Sequence, residues 1–571
     1  MKKVQYFYLS AISLCFLTSS CNLDEVNPSG STADAIWTSP EGFITAVNGA
    51  YVFQRSSLYQ KEDGIFAFET GTDLWLPDAN SDRSAQITKY ASLTPGNTGQ
   101  LRTIWREAYK GINQCNAGIN RIEEAGFTNE SEKNARLGEL RFLRAFYNWH
   151  IVETWGGVDL RTEEVDGPEL TAIRSPVNEF YDLIFEDLLF AAEHLPNSHG
   201  AEYSRATKKS ALGLLARAYL SRAYYPDGGQ EFFQRAQEVA TAVIERQNEF
   251  QVSLWSSPHE IFDPANNRQN KEALYVISNS TNNALNLDDN ANRTHSFFHM
   301  NYSAKIGLEM SMEYGHDGTR RVMPTRALLD MFDNNYDARY NAFFREIWIC
   351  NQAYTWTRED AVANGKDPSI IGYTMRPGID TALYVTKDDV PNKHMLPYTV
   401  VDRDSVYNVG NGRVNPGAGV NYPVLQKFMD PTRSSVNSQA GVLDLIVIRL
   451  AEMYMIAAEA AFQLGDLAVA VDNINVIRTR AANSETNSLA EMQVSAADIT
   501  LDFILDERAR EFCGEYQRWF DLKRTRTLGD RITRLNPDIL NFQEHHYLRP
   551  VPQQDIDVLL NGDEFGQNPG Y

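Results

Sequence analysis

Residues Arg449 to Leu464 read Arg-Leu-Ala-Glu-Met-Tyr-Met-Ile-Ala-Ala-Glu-Ala-Ala-Phe-Gln-Leu, and after the corner Gly465-Asp466 a second apolar-periodic run continues from Ala468 to Ala482. Both runs have helical length and spacing. Glycine followed by aspartate is a helix stop followed by a helix start. Ala457, Ala458, Ala460 and Ala461 keep the first run small where the second must cross it, so the stretch predicts a tightly packed helix hairpin.

The same pattern stands far upstream. Ala211 to Tyr224 precedes Phe233 to Arg246, with Ala216 and Ala218 permitting close approach. Both pairs resemble tetratricopeptide units, helix hairpins of about 34 residues. Because they lie far apart in sequence, helices from both ends of the chain must stack into one body. From Leu101 to about Tyr225 the pattern is helix upon helix: Ile104, Ala108, Ile112 and Cys115 line one face, and Leu140, Leu143, Phe146 and Tyr147 another. Ahead of these, Asn22 to about Ser39 reads as a polar tether, Phe43 to Tyr51 as a helix, and Gly64 to Gly99 as a loop rich in Gly, Asp, Asn and Pro. Between about Gln251 and Val442 the periodicity is patchy. Ala273 to Ile277 and Leu383 to Thr386 read as strands, and only Thr325 to Phe332 as a clear helix. The fold class is therefore mostly α: tetratricopeptide-like hairpins from both ends form one scaffold, overlaid by an irregular loop-rich region with short strands. Long irregular regions usually carry function.

The formal net charge of -22 repels nucleic-acid phosphates, so no nucleic-acid partner is expected. It also disfavours a polyanionic ligand, unless a local basic cleft overrides the global sign. Cys115, Cys350 and Cys513 are odd in number and widely spaced, which excludes a disulfide framework or a CxxC metal knuckle. Lys2-Lys3, the apolar run Val4 to Leu17 and Ser19-Ser20 before Cys21 have the anatomy of an export leader. The run is too short and too interrupted to span a bilayer, which takes roughly 20 apolar residues. Small residues immediately before a cysteine resemble a bacterial lipoprotein lipobox, which implies that Cys21 is acylated and anchors the chain in membrane lipid. Asp24-Glu25 resembles the surface-export signal of some Gram-negative lipoproteins.

Several motifs together resemble the SusD/RagB family. Glu139-Leu-Arg-Phe-Leu-Arg-Ala-Phe-Tyr147 with Trp155-Gly-Gly-Val158 is similar to its first long helix and glycine exit; Ala206 to Leu220 and Ile448 to Ala460 are similar to its helix hairpins. Ile504 to Arg524, Tyr547-Leu-Arg-Pro-Val-Pro552 and Gln567-Asn-Pro-Gly-Tyr571 resemble its closing segments. The resemblance implies a signal peptide over 1–20, a lipidated cysteine and tether over 21–40, an N-terminal SusD-like helical part over 41–250 and a C-terminal part over 251–571. It further implies a protein without catalytic activity or cofactor, on the outside of the outer membrane, that captures oligosaccharides, or peptides in some members, for a SusC-like TonB-dependent transporter.

Within the closing segment, Glu507, Glu511 and Glu515 lie four apart on one expected helix from Ile504 to Arg524. That spacing reads as ion pairing that pins the helix against the C-terminal segment. A surface glycoside hydrolase needs two carboxylates facing a sugar bond from different directions, and Glu511 and Glu515 sit side by side. A tetratricopeptide adaptor for another protein is the third alternative. His295 and His299 lack the Glu of HExxH, Gly410-Asn-Gly412 lacks the flanks of a phosphate loop, and no GxSxG elbow occurs. Sugars are gripped by flat aromatic faces and polar rim groups. The expected ligand residues are therefore Asp73, Trp75, Asp78 and Asn80 in the first loop, and Trp348, Tyr354 and Trp356 in the irregular region.

Overall fold

In the computed structural model residues 36–78, 84–165, 167–282, 285–286, 292–418 and 421–571 are described; the leader, Cys21 and Asn80 lie outside them. Helices form where apolar spacing and caps coincide. α1 (Pro40–Ala50) starts on Ser39, whose hydroxyl accepts the Gly42 N–H at 3.2 Å, and α2 (Glu62–Phe68) follows. Four long helices come next: α3 (Gln100–Arg121), α4 (Glu130–Trp155), α5 (Val177–His194) and α6 (Lys208–Ala223). α7 (Gln230–Glu245) closes the first hairpin. Asn129 caps α4, and Thr207 with Ser210 forms a capping box on α6.

The second hairpin is α8 (Leu450–Leu464) and α9 (Leu467–Ala481), with Gly465 left-handed at φ 84° and Asp466 accepting the Val469 N–H at 3.2 Å. Each helix from α3 to α9 packs on the next, so α7 from the first half of the chain lies directly on α8 from the second. The scaffold built from both ends is thus observed. At the α3 and α4 crossing Gly111 lets the Tyr147 ring approach; a Cβ there would stand 2.5 Å from it.

The strands are short; besides two-residue pieces such as Tyr354–Thr355 and Thr374–Met375 they include β1 (Trp75–Pro77), β2 (Ala273–Ile277), β3 (Val322–Pro324), β4 (Ile347–Ile349), β5 (Thr381–Val385), β6 (Thr399–Val401) and β7 (Leu445–Arg449). β1 pairs antiparallel with β3, with Trp75 opposite Pro324 and Pro77 opposite Val322. β2 pairs antiparallel with β7, with Leu445 opposite Ile277, and β4, β5 and β6 form a third small sheet. The irregular region holds more helix than its sequence predicts. Single-turn pieces such as Pro258–Ile261, Arg339–Phe343 and Arg358–Ala363 are too short to show apolar periodicity, and the helix expected from Thr325 is Arg326–Asp330.

The expected helix from Ile504 to Arg524 is two helices, α10 (Leu501–Phe512) and α11 (Arg518–Arg524), followed by α12 (Leu528–Leu535). Gly514 at φ 82° and Tyr516 at φ 63° turn the chain between them. Glu507, Glu511 and Glu515 are structural, but they meet other elements than the C-terminal segment. Arg449 at the end of β7 reaches Glu511 at 2.7 Å, Glu515 at 2.8 Å and Glu272 at 2.8 Å. Arg339 bridges Glu507 at 2.8 Å and Glu511 at 3.1 Å, and Lys427 holds Glu515 at 2.8 Å. All are buried, so burial pushes the Glu511 carboxyl up, yet the surrounding Arg480, Arg449 and Arg339 charges hold it well below the usual range. The C-terminal segment closes on α4 instead: Trp155 Nε1 donates to Pro550 O at 3.0 Å, and Asn568 Nδ2 donates to Trp155 O at 2.9 Å. One hydrophobic core runs from Trp37 to Phe565, with two small satellites, around Ala273, Val276 and Ile446 and around Trp356, Ala361 and Ile370. The three described cysteines are free and buried.

Candidate ligand-binding site

Most of the expected ligand residues are inside the protein. Trp75 is 0% exposed, on β1, its ring 4.8 Å from Phe298 in an edge-on contact. Trp348 is buried on β4 and stacks at 6.4 Å on Tyr302. Trp356 is buried in the satellite core and donates to Pro397 O at 2.7 Å. Ring faces covered by protein offer no platform to a sugar, so the expected tryptophan surface is corrected to core packing. Asp73 is likewise structural: both of its oxygens bind Arg518, at 2.8 and 2.6 Å, and Arg531 adds a third bond at 2.7 Å. Burial raises its carboxyl and the two guanidinium charges outweigh that, leaving it at about 2. Tyr354 is half-buried against Trp356, its hydroxyl donating to Asp360.

Asp78 is buried as well, at 8% exposed. Just beyond β1, its N–H donates to Arg321 O at 3.1 Å, Oδ2 lies 3.8 Å from Arg320 Nε, and Oδ1 has no partner. Arg321 pairs with Glu62 at the start of α2. The neighbouring Arg293 N–H donates to Gln60 O at 2.9 Å, which ties this region to the segment between α1 and α2.

That segment opens a cleft of about 270 Å³, walled by the end of α1, a single π-helical turn at Gln54–Leu58, residues 202–205 and the exit of β2. π-Turns widen the backbone locally and recur at functional sites. Its lining mixes the apolar Val276 and Ile277 with polar groups from Asn48, Tyr51, Gln54, Arg55, Arg205 and Ser278. The Tyr51 hydroxyl donates to Glu139 Oε2 at 2.6 Å, and burial first, then the Glu139 charge, push it well above the tyrosine range, so it stays protonated. Arg205 donates to Glu139 at 2.9 Å, Glu202 at 3.0 Å and Asn48 Oδ1 at 2.7 Å. Ser278 Oγ donates to Ser204 Oγ at 3.0 Å. Arg55 reaches only amide oxygens, Asn286 Oδ1 at 3.1 Å and Asn279 Oδ1 at 3.5 Å, and its Nε has no partner.

Sequence reasoning missed every one of these wall residues. Arg55, Arg205 and Ser278 come from segments more than seventy residues apart; the available signal was the polar run Gln54-Arg-Ser-Ser57 breaking an otherwise apolar stretch. Two other grooves are larger, and most of their cations are already paired. One of about 340 Å³ beside Tyr109 carries Arg161 paired with Asp159 at 2.6 Å; another of about 720 Å³ carries Arg531 paired with Asp73 at 2.7 Å and Arg534 paired with Asp530 at 2.8 Å. Among the described residues no three His, Cys, Asp or Glu side chains converge as metal ligands would.

Fold and cleft together define a helical-repeat protein whose loops build a polar, solvent-facing pocket on a rigid stack. A family model described as SusD family matches residues 278–571, and one described as starch-binding associating with outer membrane matches residues 30–220. The chain belongs to the SusD family. It is 26% identical to SusD-like protein P2 of Formosa agariphila over 100% of both chains. It is 25% identical to the starch-binding protein SusD of Bacteroides thetaiotaomicron, over 90% of this chain and 86% of that one. A solved laminarin-binding SusD-like protein superposes with a TM-score of 0.65 at 19% identity, over 94% of this chain and 100% of the other.

Proposed function

We propose that this chain is an outer-membrane nutrient-binding protein, held by lipid on Cys21, that captures oligosaccharides without cutting them and delivers them to a SusC-like TonB-dependent transporter. The observation that carries the reading is the cleft beside the π-turn, where amide, hydroxyl and guanidinium groups on fixed elements face solvent, the chemistry that sugar hydroxyls match. Relatives support it: one is named a starch-binding protein, a structural neighbour is named laminarin-binding, and the matching family description joins starch binding to the outer membrane. Among the described lining residues Glu202 is the one carboxylate, whereas glycoside hydrolysis uses two across a sugar bond. The anchor and the transporter rest on the leader sequence and the family.

Two measurements test the reading. The full chain run through native gels containing a panel of polysaccharides should be retarded by at least one and should release no new reducing ends. Isolated from detergent-solubilised outer membranes, it should carry a large barrel protein with it. Retardation by none of the panel, steady production of reducing ends, or recovery in the cytosolic fraction would each overturn it.

A further inference from the structure

The charges around the cleft do not balance. Arg205 is matched by Glu139 and Glu202, and Asp444, whose charge acts on Arg55 from beyond ion-pair distance, is held by Arg268 and by the Tyr203 hydroxyl. Among the described residues Arg55 has no carboxylate at ion-pair distance. Its Nη2 rests on the Asn279 and Asn286 amides, and Nε and Nη1 make no hydrogen bond among the described residues. A guanidinium placed against neutral oxygens in a polar cleft, in a protein of net charge -22, is the one local reversal of the molecule's sign at this site. A sparingly solvated guanidinium is costly to leave without a counter-ion. Its planar fork is the group that best fits two oxygens of a carboxylate or a sulfate ester.

We propose that the cleft selects acidic oligosaccharides, with Arg55 gripping the anionic substituent of one sugar unit while Asn48, Gln54, Ser204 and Ser278 take its hydroxyls. The volume of about 270 Å³ accommodates about one ring, so the rest of the oligosaccharide lies outside the cleft. Burial lowers the Arg55 pKa from its ordinary value, and an incoming anion reverses that cost. Selection of charge by one arginine also reconciles an acidic protein with an acidic ligand: the global field repels, the local fork holds, and only ligands presenting the anion at the right place gain. The inference rests on the oligosaccharide reading above and narrows it.

The test is calorimetric titration of the full chain in detergent with two matched pairs: a galacturonic acid tetramer against its methyl ester, and a sulfated galactan tetramer against its desulfated form. The wild-type protein should bind the acidic member of one pair at least tenfold more tightly, and the pair that responds identifies carboxylate or sulfate. Arg55→Gln should abolish the difference, losing at least tenfold in affinity for the acidic member and several-fold less for the neutral one. Arg55→Lys, which keeps charge but not the fork, should retain part of the preference, and thermal melting of each variant controls for folding. Equal affinity for acidic and neutral members, equal loss of both in Arg55→Gln, or binding confined to neutral glycans overturns the inference and leaves the oligosaccharide reading standing. Binding of neither these four nor any polysaccharide of the wider panel overturns both.

Discussion

At the scale of single residues, a side chain's sequence neighbours say little about its surroundings. Asp73 and Trp75 sit in a polar loop, yet one is clamped by Arg518 and Arg531 from the far end of the chain and the other is fully enclosed. Trp75→Ala removes a buried indole from a packed wall and should cost about 3–5 kcal/mol. Urea unfolding should show that loss, while the folded variant should titrate oligosaccharides as the wild type does; a selective loss of affinity at unchanged stability would return Trp75 to the binding surface. Asp73 also makes a prediction about pH. Its folded-state pKa of about 2 lies below the unfolded value of about 3.9, so its ion pairs contribute fully above about pH 4 and are lost as the pH falls toward about 2. Glu511, held well below the ordinary carboxylate range by three arginines, acts in the same sense. Urea midpoints should therefore drop steeply between about pH 4 and about pH 2, and Asp73→Asn should start lower and fall less steeply; a flat wild-type curve over that interval would contradict the assignment.

At the scale of elements, helix pairing depends on small residues at crossings. Gly111→Val places a branched side chain against the Tyr147 ring, where a Cβ alone would stand at 2.5 Å, and should destabilise by about 1–3 kcal/mol in a thermal melt. An unchanged melting temperature would mean that α3 and α4 can separate without penalty. The long helices were legible in sequence because 3.6-residue periodicity, caps and a Gly-Asp corner all agree, so α6 through α9 fall within a few residues of their expected ends. The break between α10 and α11 was not: the spacing of Glu507, Glu511 and Glu515 runs straight through Gly514, and only the positive φ at Gly514 and Tyr516 separates them. The single-turn helices of the irregular region fall below the length at which a period can be read. The cleft was illegible for a different reason. Its walls are assembled by tertiary contact from α1, the π-turn, residues 202–205 and β2, and no local pattern encodes which polar residue is left without a counter-ion.

At the scale of the whole molecule, stability should be unevenly distributed. The stack from α3 to α9 shares one core that takes residues from Trp37 to Phe565, and the buried ion pairs of Arg449 and Arg339 tie β7 and the irregular region to α10, so these parts should open together. Residues 354–373, with 393–398 laid over them, are built otherwise. Their own core is little more than Trp356, Ala361 and Ile370, and the short strands Tyr354–Thr355 and Thr374–Met375 pair only with each other. What gathers this lobe is Lys366, whose ammonium donates to Lys393 O at 3.0 Å, Leu396 O at 2.9 Å and Tyr398 O at 2.5 Å. Few apolar contacts and many exposed hydrogen bonds make a region open at low free energy. In hydrogen exchange followed by mass spectrometry, peptides from 356–373 should exchange well before those of α4 and α8, and Lys366→Met should accelerate the lobe alone, because it removes three hydrogen bonds that no other side chain supplies. Equal protection of lobe and stack, or acceleration of both by Lys366→Met, would show that the lobe shares the cooperativity of the helical body and that its separate core has no thermodynamic meaning.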